Sequence, residues 1–182
     1  VTEAVGSPLT RANTQFGDLH GVGGDYFSTP NVVTTWPELD LRARAQVDSI
    51  ANNITLLAAK QNSFWFGLQS YGATQQIRAR LYLATSSPYV ISIPFSTSQL
   101  GVRNWYRFTY NAATGDARVF TADGNLEAPA ISDYVQLGPT QNVGAEAIGV
   151  STFPFLAGSY EETTNYPFDG DIYRSQVYNE ID

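Results

Sequence analysis

Between residues 39 and 47 the chain alternates without a break: Leu39, Leu41, Ala43, Ala45 and Val47 are apolar, and Asp40, Arg42, Arg44 and Gln46 between them are polar. Successive side chains of a strand point to opposite faces, so the pattern describes a strand with one face on a core and the other in water. Asp40 and Arg42 then form a solvated charge pair. Ile77, Ala79, Leu81 and Leu83, alternating with Arg78, Arg80 and Tyr82, repeat the pattern.

Further strands are expected where β-branched and aromatic residues gather between turn signals. They span 25–29, closed by Pro30, then 54–59 and 63–68 joined by Lys60-Gln61-Asn62 after a turn at 51–53, then 89–93 closed by Pro94. Residues 96–102 read as a loop holding one helical turn. Residues 105–110 and 116–121 flank Asn111-Ala112-Ala113-Thr114-Gly115, with Asn opening the loop and Gly where a left-handed residue is needed, which predicts a β-hairpin. Short strands follow at 134–137 and 145–151, then a long loop over 154–167 and a closing strand over 168–178. About ten short strands with almost no amphipathic helix point to an all-β sandwich or barrel.

A length of 182 residues with 43% hydrophobic content suits one domain. Residues 1–24, rich in Gly, Thr, Ser and Asn, are expected to be an N-terminal arm or lead-in, and 25–182 the β domain. The chain holds no Met and opens at Val1, so a processed product or one module of a longer protein is expected. No run approaches the ~20 apolar residues of a membrane helix, so membrane insertion is not expected. With 10 Lys plus Arg against 17 Asp plus Glu, net charge −7, nucleic acid is not expected as a partner, because phosphate contacts need positive charge in excess. No cysteine is present, which removes disulfides and zinc-thiolate sites.

Three segments carry a family resemblance. Phe168-Asp169-Gly170-Asp171-Ile172 with Val177-Tyr178-Asn179 resembles the closing strand of laminin-G-like and concanavalin A-like domains. Trp105-Tyr106-Arg107-Phe108-Thr109-Tyr110, Thr114-Gly115 and Val119-Phe120-Thr121 resemble the central hairpin of such domains in bacteriophage minor tail proteins. Residues 24–31 resemble the opening of those modules. The resemblance implies a two-sheet antiparallel β-sandwich, a concanavalin-like jelly roll, and a setting on a virion surface or outside the cell. Ser175 departs from the pattern, which has an apolar residue there, so the last strand is expected to be bulged or locally looser.

Chemistry is sparse. His20 is the only histidine, without a partner at Leu19 or Gly21, and neither a nucleophile elbow nor a phosphate-binding loop is present. Glucanases of the superfamily carry Glu-x-Asp-x-Glu on one strand; here Glu38-Leu39-Asp40-Leu41-Arg42 ends in Arg, so no hydrolase activity is expected. Laminin-G-like domains often bind calcium through loop carboxylates, which makes Asp123, Asp169 and Asp171 the candidate ligands for calcium. Aromatic residues make up 13% of the chain, 11 of them Tyr. Sugar sites combine flat rings with polar groups. Trp36, Tyr71, Tyr89, Tyr134, Tyr160 and Tyr166, with Asn165, fall in or beside loops and are the candidate carbohydrate contacts.

The expected function is a non-catalytic binding module of a bacteriophage virion protein, meeting carbohydrate on a host cell surface and other virion proteins. The alternatives are a structural or assembly domain of the virion without a small ligand, which could form a homo-oligomer, and an atypical glycan hydrolase.

Overall fold

The computed structural model describes residues 19–21, 27–28, 36–50, 54–71, 74–158, 168–178 and 181. Among them run twelve strands: β1 (Leu19–Gly21), β2 (Phe27–Ser28), β3 (Glu38–Val47), β4 (Ile54–Lys60), β5 (Phe64–Tyr71), β6 (Thr74–Leu81), β7 (Tyr89–Pro94), β8 (Arg103–Asn111), β9 (Asp116–Asp123), β10 (Val135–Asn142), β11 (Phe155–Ala157) and β12 (Gly170–Tyr178). They form two antiparallel sheets, ordered β1-β12-β3-β8-β9-β10 and β2-β11-β4-β5-β6-β7. In chain order the strands change sheet after β1, β2, β3, β7, β10 and β11, which makes the all-β jelly-roll sandwich expected. β1 lies inside the segment read as a lead-in and pairs along β12.

The alternation of β3 sets the core. Leu39, Leu41, Ala43, Ala45 and Val47 are all fully buried, facing inward beside Phe108 and Tyr106 of β8. The second sheet answers with Phe64, Phe66, Leu68, Ile77, Ala79, Leu81, Ile91 and Ile93. Phe66 stacks on Phe108 across the gap at 5.7 Å between ring centroids. The β8–β9 hairpin closes as its loop predicts: Asn111 Oδ1 accepts from Ala113 N at 2.9 Å and Thr114 N at 3.1 Å, and Gly115 takes φ +76°. A 3-10 turn, Thr97–Gln99, sits in the loop after β7, its Ser98 N donating to Ser96 Oγ.

Three local readings change, and a fourth, the bulged last strand, holds with its irregularity displaced from Ser175. β10 does not stop at Leu137; it continues to Asn142 through a register shift between Leu137 and Gln141 that contains Gly138 and Pro139. An edge strand tolerates a proline, which has no N–H to give. Residues 145–151 form no strand: Ile148 alone bridges to Leu83, and the segment is tied down by Ala84 N to Ala147 O and Gly149 N to Tyr82 O. Part of the expected 154–167 loop is β11, a three-residue strand between Pro154 and Gly158 that exists because β2 and β4 pair on either side of it. In β12 the irregularity falls between Ile172 and Arg174, while Ser175 is fully buried opposite Ala43. Of the strand expected over 25–29, β2 is the described part; the 51–53 turn lies outside the described residues.

Candidate functional site

Among the described residues the expected loop aromatics Trp36, Tyr89 and Tyr134 do not assemble. Trp36 is only 4% exposed and packs edge-on to Phe64 at 5.6 Å, so it belongs to the core and not to a rim. Tyr134 is also buried, pressed on Arg107 with its ring centroid 5.4 Å from the guanidinium carbon, and burial pushes its phenol pKa up. Tyr89 opens β7 and is 43% exposed. It pairs with Leu81 at one end of β6, whereas Tyr71 pairs with Thr74 at the other, seven residues or about 23 Å away. The Tyr71 side chain and all of Tyr160, Asn165 and Tyr166 lie outside the described residues.

The calcium candidates do not assemble either. Asp171 is on β12 and Asp123 on β9, with β3 and β8 between them, so their backbones stand about 14 Å apart. One ion with ligands at ~2.4 Å cannot span that gap. Asp169 accepts from Ser49 Oγ, Asp171 Oδ2 accepts from Tyr173 OH at 3.1 Å, and Asp123 caps its own turn by accepting from Asn125 N at 2.9 Å. No group of three His, Asp or Glu placed to hold a metal occurs among the described residues.

The outer face of the first sheet is closed. Asp40, expected in solvent, is fully buried: Arg107 donates to it in a fork at 2.9 and 2.8 Å, and Arg42 adds bonds at 3.1 and 2.6 Å. Phe120 and Tyr134 flank the Arg107 guanidinium and the Tyr178 ring lies 4.8 Å from that of Arg42. The segment after β9 covers this layer, with Trp105 Nε1 donating to Leu126 O at 2.8 Å and Arg44 donating to Gly124 O and Glu127. A carboxylate held by two guanidiniums under a lid cannot reach a glycosidic bond. At one end of this face a cleft of about 250 Å³ is lined by Glu38, Thr109, Asn111, Thr114, Asp116, Arg118 and Ile181. Its acids are occupied, Glu38 by Asn111 Nδ2 and Ile181 N, Asp116 by Arg118 and Asn142, and no ring lines it.

The outer face of the second sheet differs. Cross-strand register lays out three rows on it: Ala59-Trp65-Arg80-Val90, Leu56-Gly67-Arg78-Ser92, and Gln69-Gln76-Pro94 running on from Ile54. Leu56, Ala59 and Trp65 form an apolar cluster separate from the core, with Tyr82 packed against it. The Arg80 guanidinium carbon lies 4.8 Å from the Tyr82 ring centroid. Arg78 donates to Gln69 Oε1. Gly67 is buried in the middle of the face: β4 is bulged between Leu56 and Ala58, and a Cβ at Gly67 would meet Thr55 O at 2.3 Å. The half-buried part of this face presents two guanidiniums, two carboxamides and a hydroxyl, beside the Tyr82 ring and a Trp65 indole that is itself buried at 8% exposure. Rings combined with planar donors and amides suit hydroxyl-bearing ligands. No carboxylate among the described residues pairs with Arg80, and its buried Nε has no acceptor there.

No family model and no curated protein matches the chain. Solved structures do. A SAP-like pentraxin from Limulus polyphemus superposes with a TM-score of 0.60 at 13% identity, over 91% of this chain and 75% of that one. The CBM40 of a Ruminococcus gnavus IT-sialidase, solved with alpha2,3 sialyllactose, superposes at 0.56 and 16% identity over 92% of both chains. NanB sialidase of Streptococcus pneumoniae superposes at 0.60 and 13% identity, over 93% of this chain and 26% of that one. The fold is therefore the concanavalin-like jelly roll that these proteins share.

Sequence reasoning passed over the residues of this face. The alternation over 77–83 marks Arg78, Arg80 and Tyr82 as the polar side of a strand, and that signal was sufficient to name them. Their meeting with Trp65 follows only from the β5–β6 register, in which Trp65 pairs with Arg80.

Proposed function

We propose that the domain is a non-catalytic carbohydrate-binding module whose contact surface is the outer face of the β4–β7 sheet. The observation that carries this reading is the set of half-buried polar side chains Gln69, Gln76, Arg78, Arg80 and Ser92 on one sheet face, with the Tyr82 ring against Arg80. A sugar ring is apolar on its faces and polar at its edge, and this surface offers both kinds of partner. The fold it shares with a sialyllactose-bound CBM40 supports the same reading. The three motifs at 24–31, 105–121 and 168–179 support a setting on a bacteriophage virion, where the glycan would belong to the host surface. An assembly module would present an apolar outer sheet face. On the described outer face of the β4–β7 sheet the apolar Leu56, Ala59 and Trp65 are buried and charge and amides are the more accessible groups, while the most exposed apolar side chains, Val135 and Val150, lie on the β10 edge and in a connecting segment.

The test is a screen of the folded domain on an array of bacterial and animal glycans, repeated with a chelator. Selective binding that survives the chelator is expected. Silence from a sample with an intact sheet spectrum moves the reading to assembly.

A further inference from the structure

We infer that the outer face of the β4–β7 sheet selects acidic glycans, those carrying a carboxylate, and that Arg80 is the residue that reads the charge. This deepens the proposed function and rests on it. Three observations converge on Arg80. Its neighbours in register are Trp65 and Val90, neither of which can take its charge. Its guanidinium lies against the Tyr82 ring, which fixes its plane and offers no hydrogen-bond acceptor in the plane of the fork. Its Nε is buried and has no acceptor among the described residues.

The contrast with the opposite sheet sharpens the point. There Arg107 and Arg42 share Asp40, Arg44 and Arg174 share Glu127, and Arg118 holds Asp116. A chain of net charge −7 with 17 acidic residues has carboxylates to spare, yet these arginines are matched and Arg80 is not. A planar fork that is held in place and unmatched fits a carboxylate, which can take two parallel hydrogen bonds from it. Gln69 and Gln76, paired with each other two rows away on the same face, are placed to take ring hydroxyls. Ser92 stands beside Arg78, so the polar groups continue on the β7 side. A neutral sugar would leave the guanidinium without its counter-charge, which is the basis for discrimination.

The experiment is calorimetric titration of the domain with two matched pairs of probes: trigalacturonate against its methyl ester, and 3′-sialyllactose against lactose. The acidic member of at least one pair is expected to bind about ten- to a hundredfold more tightly than its neutral partner, the range of a charge-assisted bond. That preference should shrink as salt rises from 50 to 500 mM. Arg80→Gln should erase the preference, Arg80→Lys should restore part of it, and Arg174→Gln on the other sheet should leave it unchanged. The salt series on the unaltered domain keeps the inference testable if an Arg80 variant folds poorly. Equal binding of acid and neutral partners, insensitive to salt and to Arg80→Gln, overturns acid selection while leaving glycan binding in place. Silence toward every probe, together with a silent array, overturns both.

Discussion

Replacing Asp40 by Asn separates the buried account of that residue from a solvated one. Asp40 is fully buried and its carboxylate accepts four N–H bonds, two from Arg107 and two from Arg42. The Arg107 side chain is 3% exposed, so loss of the carboxylate charge leaves a guanidinium stranded away from water. Breaking a buried pair in this way costs about 3–5 kcal/mol, whereas a solvated pair is worth about 0–1 kcal/mol. With an unfolding entropy of about 2.1 cal/mol/K per residue, the same loss lowers the melting temperature of a chain this size by about 8–13 °C. Urea unfolding of the wild-type domain and Asp40→Asn at pH 7, followed by intrinsic fluorescence and circular dichroism, measures the difference. The denaturant slope should be unchanged. Asp40→Leu combined with Arg107→Met should recover most of the loss, because apolar residues of similar volume can replace a buried ion pair. A loss below about 1 kcal/mol for Asp40→Asn refutes the reasoning.

Three further outcomes follow from single groups. Lys60 is buried with its Nζ donating to Phe153 O, and burial lowers its pKa from 10.5 to about 8. The unfolded chain then binds the extra proton between those values, so stability should rise from about pH 8 to about pH 10.5, and Lys60→Met should flatten that rise in a urea series across pH. The Glu146 carboxylate accepts from Thr85 N, Ser86 N and Ser86 Oγ, which holds its pKa down to about 2. Its contribution is complete above pH 4.5 and vanishes as pH falls through about 2; Glu146→Gln should speed amide exchange at Thr85 and Ser86 by about fivefold. Gly115 has φ +76° and a Cβ there would lie 2.5 Å from the Gly144 carbonyl carbon, so Gly115→Ala should lower the urea-derived stability by more than about 1 kcal/mol.

Those elements were legible in the sequence whose signal is local. The five inward residues of β3 and the Asn111–Gly115 loop of the β8–β9 hairpin declare themselves by period and by turn chemistry. What was not legible depends on contacts distant in the chain. Asp40 reads as solvated because nothing near it announces that the segment carrying Gly124, Leu126 and Tyr134 will cover it. Trp36 stands next to Pro37 in a loop-like sequence, yet its indole enters the core against Phe64. β11 is too short to show a period and is defined only by its two neighbours. The candidate face has the same character: Arg78 and Arg80 can be picked out from alternation, but Trp65 and Gln69 join them through strand pairing.

The measurement that bears most directly on the central claim is an amide and side-chain NMR titration of the isotopically labelled domain with the tightest glycan from the array. Binding at the outer face of the β4–β7 sheet predicts shift changes concentrated at the Trp65 indole, the Gln69 and Gln76 carboxamides, the Arg80 guanidinium and the Ser92 amide. Changes gathered instead around Glu38, Asn111 and Arg118 on the other sheet, or spread without a focus, would contradict it.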